Sequence, residues 1–69
     1  MKSIARERKR LGITQEELAR ELEVSHSSVA RWEQGVLPPC ASNLIAMSKL
    51  FGCSTDYLLG LSDQRTASE

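Results

Sequence analysis

The chain has 69 residues, with nine basic and nine acidic side chains and a formal net charge of zero. This length allows one small domain and no second core. Cys40 and Cys53 lie far apart and His26 is the one histidine, so the sequence indicates no metal site and no cofactor. The longest uninterrupted apolar run, residues 44–47, is too short to cross a membrane. Two lone thiols without a signal peptide favour a cytoplasmic protein.

Five helices are predicted, and polar capping residues and glycine stops mark most of their ends. Ser3 opens the first helix, and Ser54 opens a short fifth one that Gly60 closes. The second helix starts with Thr14-Gln15-Glu16-Glu17, a capping box in which the Thr14 hydroxyl and the Glu17 carboxylate each bind one free amide. In chain order the helices cover about residues 2–11, 15–22, 26–34, 41–51 and 54–59.

Apolar residues recur at helical spacing within these helices, and no segment alternates with the period of a strand. The predicted fold class is therefore all-α: a compact bundle of five short helices that forms one domain, residues 1–61. Val29 and Trp32 share one side of the third helix and are assigned to the core. Residues 62–69, SDQRTASE, are polar and lack periodicity, so we expect a flexible tail.

Charge is distributed unevenly along the chain. Five basic residues lie within the first ten positions against Glu7 alone, whereas residues 16–23 hold four glutamates and one arginine. The molecule should therefore be a dipole, and one positive face is enough to approach DNA. On charge alone, an ordinary solvated helix face explains the basic run better.

The second and third helices are joined by only Glu23 and Val24 before the Ser25 cap. Such a short connection makes the two helices cross at a steep angle, which is the geometry of a helix-turn-helix. With its apolar side buried, the third helix presents small residues outward, and such a helix fits the DNA major groove, which is about 12 Å wide. Free amides at its start suit a phosphate oxygen, and Arg31 can pair with guanine O6 and N7.

Three ordered motifs, TQEELARELEVSHSSVARWEQG, P-x4-L and LFGCSTDYLLG, resemble the lambda-repressor-like, Cro-type helix-turn-helix (XRE) family over about residues 2–61. The resemblance implies a lambda-repressor-like DNA-binding domain in which the third helix is the recognition helix. It also implies an ion pair between Arg8 and Glu33. Many members have glycine where this chain has Glu23, and a positive φ at that position would cost energy.

The resemblance assigns eight side chains to contacts with double-stranded DNA: Thr14, Gln15, Ser25, His26, Ser27, Ser28, Arg31 and Gln34. Among them, His26, Ser27 and Arg31 are expected to read bases. Ser25 and Ser28 are expected to face phosphates, although capping alone also explains Ser25.

The sequence thus predicts a sequence-specific DNA-binding protein, a transcriptional repressor that acts as a homodimer on a palindromic operator. Leu59 and Leu61 are the candidate dimer interface, because the fifth helix is too short to bury them along with its inward-facing residues. An antitoxin or restriction-system controller is the alternative within the same class, and a protein-interaction module is the alternative from another class. An enzyme is not indicated, because the sequence shows neither a paired acid and base nor a glycine-rich phosphate loop. A small-molecule substrate is not indicated either.

Overall fold

The computed structural model describes residues 1–66, which form five α-helices and no strand. The helices are α1 (Lys2–Leu11), α2 (Gln15–Leu22), α3 (His26–Gln34), α4 (Ala41–Phe51) and α5 (Thr55–Leu58). The predicted all-α fold class is confirmed. The last three positions of the predicted tail, 67–69, lie outside the described residues. Within residues 1–66, no helix has the length and apolar character needed to cross a membrane.

Side-chain caps fix the starts of three helices. At α2 the Thr14 hydroxyl accepts a hydrogen bond from the Glu17 amide over 3.0 Å, and the Glu17 carboxylate accepts one from the Thr14 amide over 2.9 Å. The predicted capping box is therefore complete. Ser25 and Ser54 cap α3 and α5 through their hydroxyls. These bonds satisfy amides that a helix start otherwise leaves without a partner.

The cap of α1 differs from the prediction, although the helix covers the predicted segment. This helix begins at Lys2, with Met1 at the cap position and no side-chain cap, so Ser3 does not open it. The Ser3 hydroxyl donates instead to the main-chain oxygen of Leu58, 2.8 Å away. This hydrogen bond joins α1 to α5, and it uses the hydroxyl that was expected to cap α1.

One core of buried apolar residues connects all five helices. Ile4 comes from α1, Leu18 from α2, Met47 from α4 and Leu58 from α5, and each is almost fully buried. Val29 and Trp32 contribute the inner side of α3, as predicted. Because α2 and α3 share this core, their packing sets which side of α3 faces outward.

One carboxylate, that of Glu7, lies within the core and is only 1% exposed. Arg65 holds it with two hydrogen bonds of 2.6 and 2.8 Å, and Arg10 adds one of 2.9 Å. Hydrogen bonding from Arg65 lowers the pKa of Glu7; burial opposes this effect and Arg10 adds to it. Both arginines also donate to the main-chain oxygen of Phe51 at the end of α4. Arg65 belongs to the predicted tail, whose flexibility stays a prediction.

The turn between α2 and α3 passes through a left-handed residue. Glu23 has φ 57° and ψ 43°, and within residues 1–66 it is the one non-glycine residue with a positive φ. Its amide donates to the Arg20 carbonyl, and the next amide donates to the Ala19 carbonyl, so the turn is closed by main-chain bonds. A Cβ atom in this conformation costs about 1–2 kcal/mol.

Replacing Glu23 with glycine is expected to raise the free energy of unfolding by about 0.5–1 kcal/mol, because the relieved strain exceeds the entropy that glycine adds to the unfolded chain. Denaturant or thermal unfolding of the variant beside the wild type measures this. Glu21→Gly is the matched control: it makes the same change inside α2 and should lower stability by about 0.5–1 kcal/mol. Equal losses at both positions would contradict the strain at Glu23.

Candidate nucleic-acid interface

The outer side of α3 is open to solvent along its length. The core takes Val29 and Trp32, and α3 packs mainly against α2 and α1. Ser27, Arg31 and Gln34 recur at three- to four-residue spacing on the opposite side, and all three are exposed. A row of polar side chains with one arginine at its centre therefore faces outward, as expected from the sequence.

The eight predicted contact residues lie at the start of α2, at the cap of α3 and along α3. Six are exposed and two, Gln15 and Ser28, are half-buried. A hydrogen bond of 3.0 Å between Gln15 and His26 brings the start of α2 beside the start of α3. The structure thus places the two groups side by side, and their contact with DNA stays a prediction.

Three serine hydroxyls cluster at the start of α3. The Ser25 oxygen lies 3.1 Å from that of Ser27 and 2.9 Å from that of Ser28, and it also accepts from the Ser28 amide over 3.2 Å. Hydroxyl hydrogens rotate to suit their partners, and the helix start carries the positive end of the dipole. This arrangement can donate several hydrogen bonds to a phosphate oxygen.

Arg8 and Glu33 form the ion pair that the family resemblance implies. Arg8 donates to both carboxylate oxygens of Glu33, over 2.6 and 3.1 Å, and also to the Ile13 carbonyl over 3.0 Å. The two side chains are only 13% and 8% exposed. Burial acts to raise the pKa of Glu33, but the hydrogen bonds from Arg8 and Gln15, together with the charges of Arg8 and Lys9, outweigh it, so the pKa is lowered. The pair joins α1 to the end of α3.

Gln15 has a second role that the sequence did not reveal. Its side-chain nitrogen donates to Glu33 over 3.0 Å, while its oxygen lies 3.0 Å from Nε2 of His26. These residues belong to two different helices, so no spacing along one helix relates them. The motif resemblance paired Glu33 with Arg8 alone.

Apolar side chains are exposed at several places outside α3. The predicted interface residues Leu59 and Leu61 are 45% and 75% exposed, and they follow α5 directly. Leu59 lines a surface groove of about 310 Å³ beside the start of α1. Five further large apolar residues are exposed within residues 1–66: Leu11, Val36, Leu37, Ile45 and Leu50.

Comparison with known proteins gives one family. A family model described as helix-turn-helix matches residues 4–58. The HTH-type transcriptional regulator DicA of Escherichia coli (strain K12) is 46% identical over 52 residues, which are 75% of this chain and 38% of that protein. The repressor protein C2 of Salmonella phage P22 is 42% identical over 52 residues, 75% of this chain and 24% of that protein. The chain therefore spans well under half the length of these relatives.

A solved structure shares the fold. The crystal structure of the P22 c2 repressor protein in complex with synthetic operator 9T superposes with a TM-score of 0.82 and 38% sequence identity. The likeness covers 88% of this chain and 92% of that chain. The predicted lambda-repressor-like arrangement of helices is thereby confirmed.

Glu33→Ala is expected to lower the free energy of unfolding by about 2–3 kcal/mol, because it leaves the guanidinium of Arg8 largely buried without its partner. Glu21→Ala removes an exposed carboxylate of α2 and should change stability little. Since the pKa of Glu33 is lowered in the folded state, its contribution is full above the ordinary glutamate pKa and is lost as pH falls through the folded value. Thermal melts should therefore show the gap between wild type and Glu33→Ala narrowing below pH ~4. Equal melting temperatures for the two alanine variants at neutral pH would rule out a stabilising pair.

Proposed function

The chain belongs to the helix-turn-helix family, and from that membership we propose that it binds double-stranded DNA in a sequence-specific manner and represses transcription. It acts in the cytoplasm as a homodimer on a palindromic operator. Regulators of this kind are not a class of enzymes, and the proposal needs no catalytic step and no cofactor.

The observation that carries the proposal is the outward side of α3. Its side chains are short around Arg31, and its inner side is fixed to α2 through the core. A helix of this kind can enter the major groove, because small residues allow close approach to the base edges. The likeness to a repressor solved with its operator supports the same orientation of α3.

Within this proposal the eight candidate contact residues divide between two tasks. Arg31, Ser27 and His26 read base edges, because they lie on the outer side or at the exposed start of α3. The remaining five candidates contact the sugar-phosphate backbone and set the register of the helix: Thr14, Gln15, Ser25, Ser28 and Gln34. Three exposed basic residues of α1, Lys2, Arg6 and Lys9, add a sequence-independent attraction.

Binding to random and selected duplex DNA at several salt concentrations tests the function. A protein that neutralises phosphates loses affinity linearly on a logarithmic salt scale, with a slope of about −0.9 for each phosphate neutralised. We expect such a slope, together with recovery of one palindromic sequence from a random library. A flat salt response without any selected sequence would favour the protein-interaction module instead.

Arg31→Ala should cost about 1–3 kcal/mol of binding free energy on the selected site and should relax the preference at one base pair. The reason is that a bidentate contact with guanine O6 and N7 is lost. Fluorescence anisotropy on the selected site and its single-base variants measures both effects. Arg20→Ala is the matched control, since it removes an exposed arginine of α2 outside the proposed contacts. Equal weakening of Arg31→Ala on every sequence would make Arg31 a phosphate contact rather than a base reader.

A second copy is needed because one recognition helix covers too few base pairs for specificity in a genome. Two-fold related copies must place their recognition helices about 34 Å apart, one turn of DNA. Leu59 and Leu61 supply the surface that holds this spacing, since both are exposed and adjacent after α5. The patch is small, so the dimer is weak in solution and the operator strengthens it.

Leu59→Glu combined with Leu61→Glu should leave the helical content intact, lower self-association, and weaken binding to a palindrome far more than binding to a half-site. Charges placed at both leucines oppose burial of that surface between two copies. Sedimentation and titration of both DNA forms measure these effects. Ile45→Glu with Leu50→Glu is the matched control, because it changes two exposed apolar residues of α4. Loss of association in the α4 variant alone would place the interface on that helix.

A further inference from the structure

The chain after α5 turns back to the start of the same helix. The Leu61 amide donates to the Asp56 carbonyl over 2.8 Å, which holds the first turn beyond α5. Four positions later, the Arg65 carbonyl accepts from the amide of Ser54, the cap residue of α5. Residues 61–65 therefore form a strap that main-chain hydrogen bonds hold at both ends, and Leu61 is its first residue.

The side chain of Arg65 fastens the second end of the strap inside the fold. Its guanidinium donates to both oxygens of the Glu7 carboxylate, over 2.8 and 2.6 Å, and to the Phe51 carbonyl over 2.9 Å. Glu7 is 1% exposed, whereas residues 61–64 are exposed or half-buried. Paired hydrogen bonds between a guanidinium and a carboxylate fix direction as well as distance. Groups of α1 and α4 thus determine where the strap ends.

A second arginine binds the same two acceptors without belonging to the strap. Arg10 donates to Glu7 over 2.9 Å and to the Phe51 carbonyl over 2.7 Å. It lies three positions from Glu7 on α1, so its bond to the carboxylate joins residues that one helix already holds together. The bonds of Arg65 to the same carboxylate span 58 positions. Both arginines pair the buried charge, but the link between the strap and α1 comes from Arg65.

The two leucines of the proposed interface are not fixed by the core. Leu59 and Leu61 are 45% and 75% exposed and lie outside the buried cluster. Association of two copies is opposed by the cost of ordering any side chain or segment that is free beforehand. A patch at a variable position also cannot hold two recognition helices about 34 Å apart. A surface this small therefore joins two copies only if it is ordered before they meet.

We propose that Arg65 is a positioning residue for the dimer surface: by fastening the strap to Glu7 and Phe51, it holds Leu61 beside Leu59 in the arrangement that a second copy buries. The proposal rests on the homodimer proposed above. Arg65 acts through the strap and needs no contact with DNA or with the second copy. Once Arg65 is released, each of the two copies has to order its strap on association, so the effect of one substitution counts twice.

Hydrogen exchange in the free protein tests the fastening without DNA. The Ser54 amide, which donates to the Arg65 carbonyl, should lose protection in Arg65→Gln relative to the Leu58 amide, which donates to the Ser54 carbonyl. Arg10→Gln is the matched control, since it removes an arginine from the same two acceptors. It should leave the ratio of the two exchange rates as in the wild type. An unchanged ratio in Arg65→Gln would overturn the fastening role.

Self-association is measured by sedimentation, and its effect on DNA by the ratio of the affinities for a palindrome and for a half-site. Arg65→Gln should weaken self-association about 5- to 30-fold, because both copies must order the strap. Its preference for the palindrome should fall by a similar factor, while its half-site affinity should equal that of Arg10→Gln, which loses the same charge. Arg10→Gln should melt at a lower temperature than the wild type but keep its self-association. An equal loss of affinity for both DNA forms in Arg65→Gln would make Arg65 a merely structural residue.

Glu7→Leu combined with Arg65→Ser separates the fastening from stability. Leucine leaves no carboxylate in the interior, and replacing a buried ion pair by apolar residues is often neutral or stabilising. The double variant should therefore fold, and should nevertheless associate as weakly as Arg65→Gln. Wild-type association in either variant would overturn the proposal. A wild type that binds the palindrome no better than the half-site would overturn the homodimer itself and this proposal with it, while its half-site affinity would still report on DNA binding.

Discussion

The position of α3 depends on the ion pair between Arg8 and Glu33. Arg8 comes from α1, Glu33 lies at the end of α3, and Gln15 brings α2 to the same carboxylate. Three helices therefore meet at one nearly buried charge. Apolar packing alone tolerates small rotations of a helix, whereas a two-point hydrogen bond between a guanidinium and a carboxylate has a defined geometry. The orientation of the outer side of α3 follows from this polar contact as much as from the core.

The sequence predicts helices well where the determinants are local. The starts of α2, α3 and α5 agree with the prediction because their capping side chains lie within the same turn as the amides that they bind. The cap of α1 was predicted wrongly because the hydroxyl of Ser3 binds Leu58, more than fifty positions away. Whether a hydroxyl caps its own helix or binds a distant carbonyl, as that of Ser3 does, is decided by the fold.

The same distinction applies to the candidate interface. That α3 would bury Val29 and Trp32 and expose Arg31 follows from helical periodicity, so the set of outward residues could be named from the sequence. The hydrogen bonds that orient these residues could not be predicted from the sequence. The contact between Gln15 and His26 crosses from one helix to another, and neither its distance nor its direction is encoded in a spacing. The family resemblance predicted one contact between helices, that of Arg8 with Glu33. It did not predict the contacts of Gln15 with Glu33 and His26.

The contact of Arg65 with Glu7 has a consequence for where the folding unit ends. A chain shortened after Leu61 would keep all five helices and the whole apolar core. It would nevertheless leave the carboxylate of Glu7 inside the molecule with Arg10 as its one remaining counterion, and a buried charge with weakened pairing is costly. The minimal autonomous fragment is therefore defined by the hydrogen bonds that a buried carboxylate needs rather than by the last turn of helix. Cleavage by a protease between α5 and Arg65 would act on stability, although it removes no secondary structure.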